Sequence, residues 1–114
     1  MPKIIIGVIG TVLLMAGAAA HAEGDPAKGK VLYTTCQACH GAKAEGNEQL
    51  NAPALTGLQD WYIIRQLKNF KEGIRGSNPE DIYGAQMRPM AMTLPDDQAI
   101  EDVTAYILTL GEGD

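Results

Sequence analysis

Two cysteines and two histidines in 114 residues leave little material for a metal or disulfide scaffold. A four-ligand zinc site of the Cys/His type would consume all of them, and a disulfide framework is limited to one bridge. Large aromatic side chains are equally scarce, with one Phe, one Trp and four Tyr, a thin supply of bulk for the core of so short a chain. Something other than side chains is expected to fill it. Basic residues are outnumbered, 9 Lys plus Arg against 14 Asp plus Glu for a net charge of -5, which argues against a partner made of nucleic acid. Sustained period-two alternation is missing, as are Asn-Gly or Asp-Gly turns between β-branched runs, so strands are not expected. The remaining fold class for one small domain of this composition is all-α.

What is present begins with Lys3 and an apolar run from Ile4 to Ala20, broken only by small residues and Thr11 and ended by Ala20-His21-Ala22. A positive start, an apolar centre and a small-x-small site read as an export signal. Residues 1–22 are therefore expected to be removed and residues 23–114 to form the domain, located in the periplasm. The alternative is an uncleaved anchor, for which the run is slightly short of the roughly 20 residues that span a bilayer as a helix. Cleavage would leave 8 basic against 14 acidic residues and a single histidine, His40.

Three helices are legible. The first opens on Asp25-Pro26, an N-cap residue followed by proline where its missing N–H costs nothing, and runs toward Cys36. The second runs from about Asp60 to Glu72-Gly73, with Ile63, Leu67, Phe70 and Ile74 on one face and Gly73 as the stop. The third follows Pro95-Asp96-Asp97, carries Ile100, Val103, Ile107 and Leu110 on one face and closes at Gly111. Between the last two, Arg75 to Leu94 is punctuated by Gly76, Asn78-Pro79, Gly84 and Pro89, and is expected to be a long loop with one short helix around Glu80 to Tyr83. A loop of that length in a compact domain wraps something or works as a site.

The chemistry is carried by Cys36-Gln37-Ala38-Cys39-His40, the attachment sequence of a c-type haem. Two thiols one helical turn apart can add to the two vinyl groups of one porphyrin, and the imidazole on the next residue then lies beneath the iron. A thioredoxin-like pair would need a βαβ setting that the helical pattern does not offer. A zinc site would crowd Cys36, Cys39 and His40 together and lack a fourth Cys or His in the mature chain. A plain disulfide leaves the adjacent histidine unexplained. An electron-transfer haem needs a second axial ligand, and the mature chain offers three methionines, Met87, Met90 and Met92.

With Gly29-Lys30 to Tyr33, Cys36 to Gly41 and Ala52-Pro53-Ala54-Leu55-Thr56-Gly57 in that order, the sequence resembles a class I cytochrome c. The likeness runs from residue 23 to residue 110. Trp61 to Gly73 and Met87 to Leu94 are similar to the middle helix and distal loop of bacterial dihaem cytochromes c and of haem modules fused to oxidase subunits. The resemblance implies one covalent haem c, attached to Cys36 and Cys39, with His40 as proximal ligand and the Pro53 carbonyl accepting from its imidazole. It implies Met87 as distal ligand ahead of Met90, with Met92 last. It further implies close crossing of the first and last helices at Gly29 and Tyr106, and a helix cap at Thr93 or Asp96, since Pro95 stands where the family often has Ser or Thr. Trp61, Tyr62 and Arg65, and beside them Gln66, Arg75 and Tyr83, are candidate haem contacts through the propionates. Leu55, Ile63, Leu67, Phe70 and Ile107 are candidate walls.

The expected function is a one-electron carrier between respiratory donors and acceptors, not an enzyme. Its expected partners are redox proteins, membrane-bound or periplasmic oxidoreductases such as a terminal oxidase or reductase. No nucleic acid is expected, no membrane contact apart from an uncleaved N-terminal segment, and a monomer. The alternatives are a haem c subunit of a larger oxidoreductase, or a peroxidase or ligand-binding cytochrome with a labile distal methionine. In the family the haem edge is exposed near the positions of Gln37, Ala38, Ala85, Gln86 and Met90, which bear no charge, so a small uncharged docking patch is expected.

Overall fold

The computed structural model describes residues 2–5, 7–8, 10 and 24–111. The expected cleavage site at residues 20–22 lies outside the described residues. Five helices follow one another: α1 (Pro26–Leu32), α2 (Thr34–His40), α3 (Asp60–Lys71), α4 (Ile82–Ala91) and α5 (Asp97–Leu110), with a short 3-10 turn at Glu48–Leu50. Among the described residues the only β pairing is the isolated bridge between Asn47 and Ala52. No described helix is long and apolar enough to cross a membrane.

The expected first helix is two. Asp25 caps α1 by accepting from the Ala27 N–H at 2.9 Å, and Pro26 takes the first helical position. The chain then passes through Tyr33 in helical conformation, with φ -68° and ψ -15°, and resumes as α2. The two short helices thus carry the chain through Cys36 and Cys39 to His40, four residues past the expected end at Cys36.

In α3, Ile63, Leu67 and Phe70 are buried as expected. Ile74 is not; it is 69% exposed. The helix stops at Lys71, Gly73 takes the left-handed conformation at φ 75°, and the Ile74 N–H turns back to the Asn69 carbonyl at 2.9 Å. This Schellman closure carries Ile74 off the helical face its spacing implied.

The larger correction lies between residues 75 and 94, where a ten-residue helix takes up half of the expected loop. Gly84 and Pro89 read as breakers, yet both are accommodated. Asp81 accepts from the Gly84 N–H at 3.0 Å and caps α4. Gly84 is buried where the backbone of Gly76 comes so close that a Cβ on Gly76 would lie 2.5 Å from the Gly84 carbonyl oxygen. Arg88 fastens the helix to α3 by donating to the Phe70 carbonyl at 3.2 Å.

In α5, Asp96 is the cap of the two expected, accepting from the Ala99 N–H at 2.8 Å. Its inner face, Ile100, Val103 and Ile107, packs with Ile63, Leu67 and Phe70 of α3 and Leu94 in one core. The crossing of α1 and α5 is backbone-close: a Cβ on Gly29 would overlap the Asp102 carbonyl and approach Tyr106 Cβ to 2.8 Å. Tyr33 and Tyr106 stack beside it with ring centroids 5.4 Å apart.

Asp102, unexpected in a core, is 5% exposed. Its carboxylate accepts from the Asp25 N–H at 2.8 Å and from Gln98 Nε2 at 3.0 Å. The Asp25 N–H, above all, holds its pKa below the ordinary carboxylate value, with Gln98 and the charge of Lys28 adding to it against the effect of burial. A lowered folded pKa contributes stability above the unfolded value of about 3.9 and loses it as pH falls through the folded value. Asp102→Ala should therefore cost about 1–3 kcal/mol at neutral pH. The gap between the wild type and Asp102→Asn in chemical denaturation should close as pH drops below about 4; a gap that widened there would refute the assignment.

Candidate functional site

The helices enclose a cavity of about 590 Å³, within the ordinary range of roughly 300–1,000 Å³ for cofactor sites. Its lining comes from α2 to α5 and the segments between them. Cys36, Cys39 and His40 come from α2, and Ala52, Pro53 and Leu55 from the segment after it. Tyr62, Ile63, Gln66, Leu67 and Phe70 come from α3, Met87, Met90 and Ala91 from α4, and Val103 and Ile107 from α5. All five expected wall residues are among them.

His40 is the last residue of α2 and is 7% exposed. Its Nδ1 lies 2.8 Å from the Pro53 carbonyl oxygen. A carbonyl only accepts, so Nδ1 carries the proton and Nε2 keeps its lone pair for a metal. Cys36 is half-buried and Cys39 exposed, both as free thiols. Burial pushes the Cys36 thiol up to about 11, the opposite of the low-pKa thiolate on which dithiol redox chemistry depends. Tyr33 stands directly behind, its phenol pushed up to about 12 chiefly by burial and its hydroxyl donating to the Gly41 carbonyl at 2.6 Å.

The expected polar contacts divide. Tyr62, Gln66, Arg75 and Tyr83 line the cavity, and Arg75 Nη1 donates to Gln66 Oε1 at 2.9 Å while its guanidinium sits 4.5 Å from the centre of the Phe70 ring. Trp61 and Arg65 do not reach it. They share the outer face of α3 in a shallow groove with Lys68 and Glu72. There Trp61 is 50% exposed and donates to Gln59 Oε1 at 2.6 Å, with the Arg65 guanidinium 5.0 Å from its ring. The reason is helical phase: residues four apart share a face, so Trp61 goes with Arg65 and Tyr62 with Gln66, one step round the helix. Of the methionines, Met87 is half-buried against the core and Met90 is 37% exposed, both on the lining, whereas Met92 is 55% exposed and away from it. Ala91, Leu94 and Val103 also line the cavity; the helical phase of α5 gave notice of Val103 only as core, and the first two were hidden by the loop reading.

These residues suit a porphyrin better than a bare ion. Among the described residues no three His, Cys, Asp or Glu side chains converge to hold a metal, but porphyrin iron brings its equatorial ligands with it and asks the protein only for axial ones. Two thiols at the rim, one oriented imidazole, thioethers and an apolar interior meet that requirement.

A cytochrome c family model matches residues 26–111. The chain belongs to the cytochrome c family. Its fold is the all-α class I cytochrome c fold, and the cofactor of this family is covalently bound haem c, whose attachment spacing Cys36 to His40 reproduces. A cytochrome c4 of Stutzerimonas stutzeri is 32% identical over 108 residues, covering 93% of this chain and 50% of the relative. Cytochrome c-554(547) of Halothiobacillus neapolitanus is 37% identical over 92 residues, covering 76% of this chain and 98% of the relative. A thiosulfate dehydrogenase electron acceptor of Stutzerimonas stutzeri (strain A1501) is 33% identical over 96 residues, covering 74% and 41%. The chain thus spans about half the length of the cytochrome c4 relative, and nearly all of cytochrome c-554(547).

Haem in this cytochrome c is structural as well as functional. Without it, Ile63, Leu67, Phe70, Val103 and Ile107 would face an open, water-accessible cleft in place of apolar surface, and a domain of marginal stability loses much of the burial that holds it together. Chain produced without haem, as the Cys36→Ala/Cys39→Ala double variant or in cells lacking the attachment machinery, should lose its near-ultraviolet circular dichroism and its cooperative melt. A colourless chain with a sharp native-like transition would contradict this.

Proposed function

We propose that this cytochrome c is a periplasmic one-electron carrier, exported by residues 1–22, with residues 23–114 forming the domain. Cys36 and Cys39 would hold haem c through thioethers, and His40 and Met87 would ligate its iron. The bound haem supplies a reversible one-electron site at its iron. The observation that carries the reading is that His40 and Met87, from different helices, line the same apolar cavity as both cysteines.

The protein's own residues do the rest. The Pro53 carbonyl fixes the His40 tautomer and ring plane. A thioether is a soft ligand that favours ferrous iron and raises the potential, which suits delivery to an oxidising acceptor. Ile63, Leu67, Phe70 and Ile107 keep water from the iron. Ligation by both His40 and Met87 would favour electron transfer over peroxide or gas chemistry, and the electron acceptor among the relatives supports a carrier over an enzyme. Burial separates the methionines, since Met87 packs on the core while Met90 sits at the rim. Oxidised Met87→Ala should lose the sulfur-to-iron charge-transfer band and shift to a lower potential, and Met90→Ala should keep both. The reverse pattern would reassign the ligand.

Docking is proposed at the rim. Gln37, Ala38, Ala85, Gln86 and Met90 are all exposed and uncharged, and Ile82 and Tyr83, 62% and 55% exposed, extend the patch along α4. The partners are redox proteins with a matching small, apolar contact, and association is transient. Electron-transfer rates with the physiological partner should then change less than about tenfold between low and physiological ionic strength, because screening acts on charge and the contact has little. Stopped-flow rates falling by several orders of magnitude would show a charged interface instead.

A further inference from the structure

Behind His40, off the cavity lining, lies a buried polar group with no part in the carrier reading, the hydroxyl of Tyr33. The Tyr33 side chain is 1% exposed and packs at a tilt against Tyr106, a packing role that phenylalanine would serve equally well. The hydroxyl donates at 2.6 Å to the carbonyl of Gly41, the residue after His40.

That carbonyl begins a tight turn. It also accepts from the Ala44 N–H at 3.0 Å, and the turn ends where the Gly46 N–H donates to the His40 carbonyl at 2.7 Å. Ala44 and Gly46 are both left-handed, at φ 54° and 83°, so the turn holds a conformation that L-residues resist and that its hydrogen bonds must maintain. Its far side touches the segment that orients His40. A Cβ on Gly46 would lie 2.9 Å from the Pro53 carbonyl carbon, and the Ala44 carbonyl accepts from the Leu55 N–H at 2.9 Å. Pro53, the acceptor for His40 Nδ1, is therefore braced by the turn that Tyr33 anchors.

We propose that Tyr33 is a positioning residue for His40: its hydroxyl, by fixing the Gly41 peptide, sets the distance between His40 Nδ1 and the Pro53 carbonyl. The proposal rests on His40 as an axial ligand and is indifferent to which methionine lies opposite. A histidine that donates a firm hydrogen bond is a more basic ligand, and a more basic ligand favours ferric iron. Loosening the brace therefore raises the potential.

The test compares two holoprotein variants. Tyr33→Phe removes only the oxygen and keeps the ring; Tyr106→Leu removes the stacked ring and leaves the hydroxyl. Both are measured for melting temperature, midpoint potential and the NMR exchange rate of the His40 Nδ1–H in the ferrous state. Tyr33→Phe should shift the ferrous-to-ferric ratio at fixed ambient potential by about two- to tenfold toward ferrous, the upper end corresponding to about 59 mV for one electron, and should speed Nδ1–H exchange several-fold. Tyr106→Leu should lower the melting temperature and move neither of the other readings. Unchanged potential and exchange in Tyr33→Phe would overturn the proposal, as would an equal shift in Tyr106→Leu. Absence of the sulfur-to-iron band in the wild type would sink the carrier reading instead, and the Tyr33 comparison would still stand.

Discussion

A core that closes on a void dictates the rest of this structure. Ile63, Leu67 and Phe70 from α3 and Val103 and Ile107 from α5 are buried, but they point into the same cavity of about 590 Å³ and do not fill it. Apolar core side chains do not favour facing an open cleft of that size, so the fold is completed by a group that covers them, which in this family is haem c. The scarcity of aromatic residues and the presence of the cavity are one fact seen twice. Covalent attachment, the mode of this family, suits so short a domain, because marginal stability leaves little margin for dissociation of the group that completes its core.

Around that void the chain is closed by one helix crossing. α1 and α5 approach until Gly29 lies against the Asp102 carbonyl, with no room for a Cβ. The Asp102 side chain reaches across to the Asp25 N–H, so it ties the free end of α1 to α5 with a charge-assisted bond. Tyr33 leaves the same crossing toward Gly41, which links the closure of the fold to the histidine end of the cavity. One residue thus takes part in both the helix crossing and the turn that follows His40.

Much of this was readable before any coordinates. The haem motif is local, five consecutive residues, and needs no tertiary information. α3 and α5 announce themselves by the 3.6-residue period, and Gly29 and Tyr106 by their resemblance to family positions. The failures have physical causes. Ile74 fits the α3 period but comes after Gly73, and a left-handed residue ends the phase that periodicity extrapolates. Trp61 and Arg65 are near the cavity in sequence yet turned away by one helical step from Tyr62 and Gln66. Asp102 looks like surface because nothing local reveals that a backbone N–H seventy-seven residues earlier will meet it. The helix α4 was hidden because Gly84 and Pro89 carry their local penalties whether or not tertiary contacts offset them.

That last case bears on function. For Met87 as the proposed distal ligand, a seat on a loop would allow movement as the charge on the iron changes, and each movement would add to the barrier for electron transfer. On α4, Gly84, Met87 and Ala91 fall at intervals of three and four, on the face turned to the cavity. The helix is held at its start by the Asp81 cap and along its length by Arg88 on the Phe70 carbonyl. Just beyond its end, Lys71 of α3 donates to the Leu94 carbonyl at 2.6 Å. Pro89 deprives α4 of one ladder hydrogen bond, a penalty of about 3 kcal/mol in an isolated helix. Here proline lies on the exposed side, and the carbonyl it leaves free belongs to Ala85, also on the exposed side, where solvent can take the place of the missing N–H. Proline thus removes a bond where water can substitute for it, and the fixed anchors on the opposite face keep Met87 on a rigid element.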